Sequence, residues 1–248
     1  MDGVDTDVQS EDFQRLHQLI ESSPDIKEFL DGMAGHAAAS LSRTVGAPIA
    51  CAVTLQRRKR TATIAGSSDE AVILDHIEQD LGDGPCLEAL RTFEPVLLAD
   101  VGSDLRWPRY SATLAATGYR SVVGVPIDAG EAASAALNFF APAAALFTEE
   151  AIAEAVVFSR TAGHALRLTL RIVTAELRAI DLKAAMESRT VIDLACGMIM
   201  TQNRCSQEQA YQFILRASNS RNMKVRAVAE EVVRRLAGVE QTATHFDD

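Results

Sequence analysis

The chain has 248 residues, with 34 acidic against 24 basic side chains and a net charge of -10. Hydrophobic residues make up 48%, enough to build a core, which excludes wholesale disorder; the length allows one large domain or two small ones. No apolar run reaches the roughly 18 residues of a membrane span, and the acidic start MDGVDTDVQSED lacks the basic and apolar regions of a secretory signal. Cys51, Cys86, Cys196 and Cys205 form no CxxC pair and no His-linked metal spacing, so the expectation is a cytoplasmic protein with reduced thiols and no metal site.

In chain order, residues 1–12 read as a frayed acidic tail, and 1–22 as this tail plus the start of a first helix. Ser23 is the expected N-cap, with Pro24 in the first turn of a helix whose apolar positions are Ile26, Phe29, Leu30, Met33, Ala37 and Leu41. After Pro48 the run IACAVTLQ reads as a strand, and Arg57–Arg60 as the turn of a hairpin returning along RTATIAG. Val72, Ile73, Ile77 and Leu81 have helical spacing, broken by GDGP at 82–85. Leu87, Leu90 and Phe93 suggest a short helix, PVLLAD (95–100) a strand, and 103–118 a loop followed by a helix. SVVGVPI (121–127) and ASAALNFFA (133–141) read as two further strands. Together these predict an α+β domain with one antiparallel sheet and flanking helices.

From Thr148 onward every segment reads as helix. Leu166, Leu170, Val173, Leu177, Ile180, Ala184, Glu187, Val191, Leu194 and Met198 alternate by four and three, an a/d heptad seam broken only by Glu187. About 40 residues at 1.5 Å each would run roughly 60 Å, too long for one small domain. The spacing therefore predicts a parallel dimeric coiled coil over 166–188, against the alternative of an amphipathic helix packed on its own sheet. Ser206 is the expected N-cap of the next helix, with Ala210, Phe213, Ile214 and Ala217 inward; NSRN (219–222) reads as a turn. Val225, Val228, Ala229, Val232 and Val233 give the inner face of a third helix, and 237–248 a disordered tail.

Charge is unevenly placed. Residues 1–150 carry a net of -12, whereas 189–236 carry a net of +4. Arg216, Arg221, Lys224 and Arg226 lie within eleven residues, interleaved with Ser218, Asn219, Ser220 and Asn222, and Arg204 lies upstream. Such a cluster can neutralise phosphates and present hydrogen-bonding groups to unpaired bases. Tyr211 is either a stacking partner for a base or a core aromatic.

The run 189–233 resembles the ANTAR domain, a three-helix RNA-binding module of bacterial transcription antiterminators. The resemblance is carried by IDxAxGMIM (Ile192, Ala195, Gly197, Met198, Met200), by Ala210 and Tyr211, by Leu215, Arg216 and Ser218, by Arg221 and Asn222, and by Arg226 with VAxEVV. It implies RNA binding through Arg204, Tyr211, Arg216, Ser218, Arg221, Asn222, Lys224 and Arg226. Gly197 and Ala195 fit close helix packing, and Ile192, Met198 and Met200 fit the core. Cys196 stands where many relatives carry a lysine, so any RNA contact made through that lysine is absent here. A helix-turn-helix entering a DNA major groove is the alternative for the same helices, but the turn lacks a glycine.

Residues 23–165 are similar to the GAF domain, a small-ligand sensory fold with a central antiparallel sheet. GxGPCxEAL, the PV strand, RWPRY and SVVGVPI within 81–127 carry this likeness, and the order GAF, helix, ANTAR spans nearly the whole chain. No cofactor follows from it. Cys86, Trp107 and Tyr110 are the candidate ligand-binding residues; Cys86 reads either as a thiol activated at a helix start or as a small buried residue, and Trp107 either as a pocket lining or as an anchor of a satellite core. Asp80 and Asp83 flank a turn and read as solvated. No Ser–His–Asp set, HExxH or Walker loop is present, so no catalysis is expected. The resemblance implies a homodimeric regulator that binds paired RNA hairpin loops, with a small-molecule ligand for the GAF domain and no membrane partner. A ligandless GAF dimerisation scaffold is the further alternative.

Overall fold

β-branched, alternating segments pair into a single five-stranded antiparallel sheet, ordered β2-β1-β5-β4-β3. The strands are β1 (Ala50–Arg57), β2 (Arg60–Gly66), β3 (Val96–Leu98), β4 (Ser121–Ile127) and β5 (Ser134–Ala141). The computed structural model describes residues 2–57, 60–131 and 133–236. Arg58 and Lys59, expected in the β1–β2 turn, and the tail 237–248 lie outside these residues. The helices are α1 (Asp2–Ser22), α2 (Ile26–Val45), α3 (Asp69–Leu81), α4 (Pro85–Thr92), α5 (Pro108–Ala115), α6 (Glu149–Asn203), α7 (Gln207–Arg221) and α8 (Val225–Leu236). The chain divides into two compact units, Met1–Val173 and Thr174–Asp248.

In the first unit the two-residue strand period sends alternate side chains into two cores. Cys51, Val53, Val123, Val125, Leu137 and Phe139 meet Phe29, Leu30 and Met33 of α2 together with Phe158, Ala162 and Leu166 of α6. Ala50, Ala52, Val122 and Phe140 meet Leu74 of α3 and Tyr110 and Leu114 of α5 on the opposite face. Helices thus cover both faces, and every residue of β4 is buried. Gly124 of β4 lets α4 approach: a Cβ there would lie 2.9 Å from the Pro85 carbonyl oxygen.

Several expectations are corrected. The acidic start, expected as a frayed tail, is helical from Asp2; Leu16 and Leu19 anchor α1 in the core. The N-cap of α2 is Asp25 in place of Ser23, its carboxylate accepting the Glu28 N–H at 2.9 Å. The predicted seam also divides: Leu166 is buried in the first unit and Leu170 packs against it, so there this face is taken by the chain's own domain.

The second unit is a three-helix bundle. Ala195, Cys196 and Ile199 of α6 meet Ala210 and Ile214 of α7 and Val228 and Ala229 of α8. Leu194, on the predicted seam, is exposed because the bundle uses the adjacent stripe of α6. Gly197 is exposed with open space around it, so close packing does not explain it. Ser206 starts α7 in a full capping box with Gln209, as its sequence suggests. The expected NSRN turn is mostly helix, since α7 continues to Arg221 and only Asn222 turns, with φ of 50°. Among the described residues no helix is long and apolar enough to cross a membrane.

Candidate sensor interior and nucleic-acid interface

In the first unit, the face of the sheet covered by α3, α4 and α5 holds a buried polar group. The Thr54 hydroxyl donates to both Asp75 carboxylate oxygens at 3.0 and 2.9 Å. The Asn138 amide donates to Asp75 Oδ1 at 3.1 Å and to Glu78 Oε2 at 3.3 Å. Gln79 Nε2 reaches Asp75 Oδ2 at 2.5 Å, and the Leu87 N–H donates to Glu78 Oε1 at 2.7 Å. Burial is the dominant cause of a raised carboxyl in each case: Asp75 lies above its ordinary range, and Glu78 is pushed up to about 8. The Tyr110 hydroxyl and Asn138 Oδ1 are buried without a hydrogen-bond partner. Desolvation raises Tyr110, with the fields of Glu78 and Asp75 adding to it.

The three ligand candidates differ in role. Trp107 and Tyr110 share the buried cluster beneath α3 and α5. The Arg106 guanidinium lies 4.4 Å from the Trp107 ring centroid. Cys86 is buried, and burial followed by the Glu78 and Asp75 charges pushes its thiol well up. Its burial at the start of α4 fits the alternative of a small buried residue. Sequence reasoning weighed Asp80 and Asp83, which are exposed, and missed Asp75 and Glu78. The available signal was their helical spacing with Ala71 and Leu74, which places both on the inward face of α3.

In the second unit the predicted RNA residues have different local settings. Tyr211 lines an open groove of about 640 Å³ with Arg189, Ile192 and Cys196 of α6. It is 40% exposed, which favours its accessible alternative over a core role. Arg226 faces α6 as well, with Glu187 at 3.9 Å and Glu230 at 2.8 Å. Arg221 pairs with Glu231 at 2.7 Å, and Glu231 also holds Arg235 at 2.5 Å. Ser218 is corrected: it is buried, and its hydroxyl donates to the Met223 carbonyl at 2.5 Å, closing the α7–α8 junction. Asn222 caps α7, donating its backbone N–H toward Asn219 and Ser218. Arg204 and Lys224 are exposed. Phe213, expected in the core, is 46% exposed, and Arg216 lays its guanidinium 4.8 Å from the ring centroid.

A family model for the GAF domain matches residues 25–167, and one for the ANTAR domain matches residues 181–233. No curated protein matches the chain. Among solved structures, the GAF domain of an Acinetobacter phosphoenolpyruvate-protein phosphotransferase is 18% identical, with 67% of this chain and 98% of that one covered and a TM-score of 0.47. The type II free methionine-R-sulfoxide reductase of Thermoplasma acidophilum is 19% identical, covering 58% of this chain and 97% of its own, at a TM-score of 0.44. The N-acylhomoserine lactone dependent LuxR family factor CepR2 of Burkholderia cenocepacia is 15% identical over 66% of this chain and 98% of its own, at 0.48.

Proposed function

Because the chain belongs to the GAF domain family and carries a C-terminal ANTAR domain, we propose that it is a homodimeric RNA-binding regulator acting by transcription antitermination. The GAF unit receives the input, and two ANTAR bundles bind paired hairpin loops. The reading assigns no catalytic step to either unit. The observation that carries it is the ANTAR match over 181–233, which falls in a segment of net positive charge on an otherwise acidic chain. Within it Arg204, Arg216, Arg221 and Lys224 are exposed to solvent, as binding a polyanion requires.

Self-association is supported by α6, where Leu177, Ile180, Leu182 and Met186 are each more than half exposed. At about 100° per residue these fall on two stripes, Leu177 with Ile180 and Leu182 with Met186. Pairing with a second copy would remove such a stripe from water, at roughly 25 cal/mol per Å². Dimerisation would also give the second bundle an effective concentration in about the millimolar range once the first is bound. An input changes RNA binding only if it favours one arrangement of the dimer over another.

The test is titration of the full chain with RNA carrying two adjacent hairpins, with single-hairpin RNA and duplex DNA as competitors at stated salt. Tight, salt-sensitive binding to the two-hairpin RNA alone is expected. Replacing Arg216, Arg221 and Arg226 together by Ala should abolish that binding while sedimentation still reports a dimer. Unchanged affinity would remove these residues from the interface, and preference for duplex DNA would overturn the RNA reading.

A further inference from the structure

Phe213 lies outside the core of the bundle that contains it. The inward residues of α7 are Ala210, Ile214 and Ser218, and a half-exposed phenyl ring between them is unfavourable unless something covers it. Its position is defined by two neighbours whose sides are known. Tyr211 marks the α6 side of α7 through the groove it shares with Arg189 and Ile192, and Arg226 marks the α6 side of α8 through Glu187. At about 100° per residue, Phe213 lies roughly 200° around α7 from Tyr211, and Arg235 roughly 180° around α8 from Arg226. Phe213 therefore lies on the flank of α7, and Arg235 on the flank of α8, turned away from α6; the Arg221–Glu231–Arg235 ion pairs link α8 to the C-terminal end of α7, about 12 Å along the helix from Phe213.

The α7–α8 surface holds an aromatic face with the Arg216 guanidinium over it and, about 12 Å further along α7, the Arg221 guanidinium, which one carboxylate ties to Arg235. An exposed contact of the Arg216–Phe213 kind is weak, about 0.5–1 kcal/mol, so the ring is available to a better stacking partner. Planar guanidinium groups held at fixed spacing suit phosphate oxygens, and Glu231 offsets only one of three positive charges. We propose that Phe213 and Arg216 stack an unpaired nucleobase of the bound RNA loop, while Arg221 and Arg235, positioned by Glu231, take phosphates further along the strand. This rests on the RNA reading above and replaces Tyr211 with Phe213 as the stacking residue.

The experiment uses the full chain and two-hairpin RNA with 2-aminopurine placed in turn at each loop position. At one position the wild-type protein should quench the fluorescence on binding. Phe213→Ala should abolish this quenching and weaken binding about tenfold or more, the usual loss for one stacked base. Phe213→Leu should weaken it similarly, because it keeps the volume and loses the π face, whereas Phe213→Trp should retain both signals. Tyr211→Ala, on the opposite flank, should leave the quenching in place. Because Phe213 lies outside the bundle core, the variants should keep wild-type helicity.

Wild-type affinity and quenching in Phe213→Ala would overturn the platform and leave the RNA reading standing. Loss of the dimer in Phe213→Ala with RNA affinity intact would overturn it in favour of a protein contact. Absence of hairpin binding by the wild-type chain would overturn both.

Discussion

The two units solve the burial problem at different scales. The first packs a five-stranded sheet between helices and fills both faces with large side chains, Phe29, Phe139 and Phe158 on one and Tyr110 and Phe140 on the other. The second closes around Ala195, Cys196, Ile199, Ala210, Ile214, Val228 and Ala229, small and aliphatic side chains with no aromatic residue among them. A deep core can bury two carboxylates with their hydrogen-bond partners, as the first unit does with Asp75 and Glu78. A shallow one cannot, so the second keeps its charges at the surface, where they are available to a polyanion, and relies on caps and ion pairs at its helix ends.

The sharpest way to break this contrast is to empty the small core. Ile214→Ala removes the largest fully buried apolar side chain of α7 and should cost about 2–5 kcal/mol, comparable to the whole stability of so small a bundle. Thermal unfolding followed by circular dichroism should then lose the helical signal of the second unit at lower temperature, with the transition of the first unit unmoved. A single coincident shift would mean that the two units unfold together.

A smaller effect is expected in the first unit from pH. Folded Glu78 holds its proton up to about pH 8, against an ordinary value of 4.5 in the unfolded chain. Between these values the folded state binds the extra proton, so stability falls as pH rises from about 4.5 to about 8 and levels off above. Asp75 shifts in the same direction and adds to the slope. Glu78→Gln should therefore flatten the profile and raise stability at pH 8 by on the order of 1–3 kcal/mol, measured by urea unfolding across pH. A profile as steep as the wild type's would place the titration elsewhere.

The smallest expected effect returns to the bundle. Ser206→Ala removes the side-chain half of the capping box and should destabilise the second unit by about 1 kcal/mol. Hydrogen exchange at the first turn of α7 should quicken, whereas the amides of β4 and β5 should not respond.

Much of the fold was legible because its signals are local. SVVGVPI matches β4 from end to end, Gly82 stops α3 in the left-handed region, and Ser206 starts α7. The errors arose where a local pattern had two tertiary solutions. The acidic start carries Leu16 and Leu19 at a spacing that matters only once α2 is there to meet them. The heptad seam continues through α6 as a pattern, yet the first core claims Leu166 and the bundle claims Ala195, Cys196 and Ile199. Phe213 looked inward because it is apolar, but Ala210 and Ile214 fix the inward face of α7 elsewhere.

The sequence by itself determined the order of elements, the division into an α+β unit and a helical one, the family of each, and the concentration of positive charge near the C-terminus. These depend on periodicity, turn chemistry and composition, which are written along the chain. Only the tertiary structure decided that Asp75 and Glu78 share one buried network with Asn138, that Ser218 is consumed at a junction, and that Phe213 and Arg216 form an exposed pair. Each depends on which face of a helix meets a neighbour, a choice that the helical period permits but that packing alone makes.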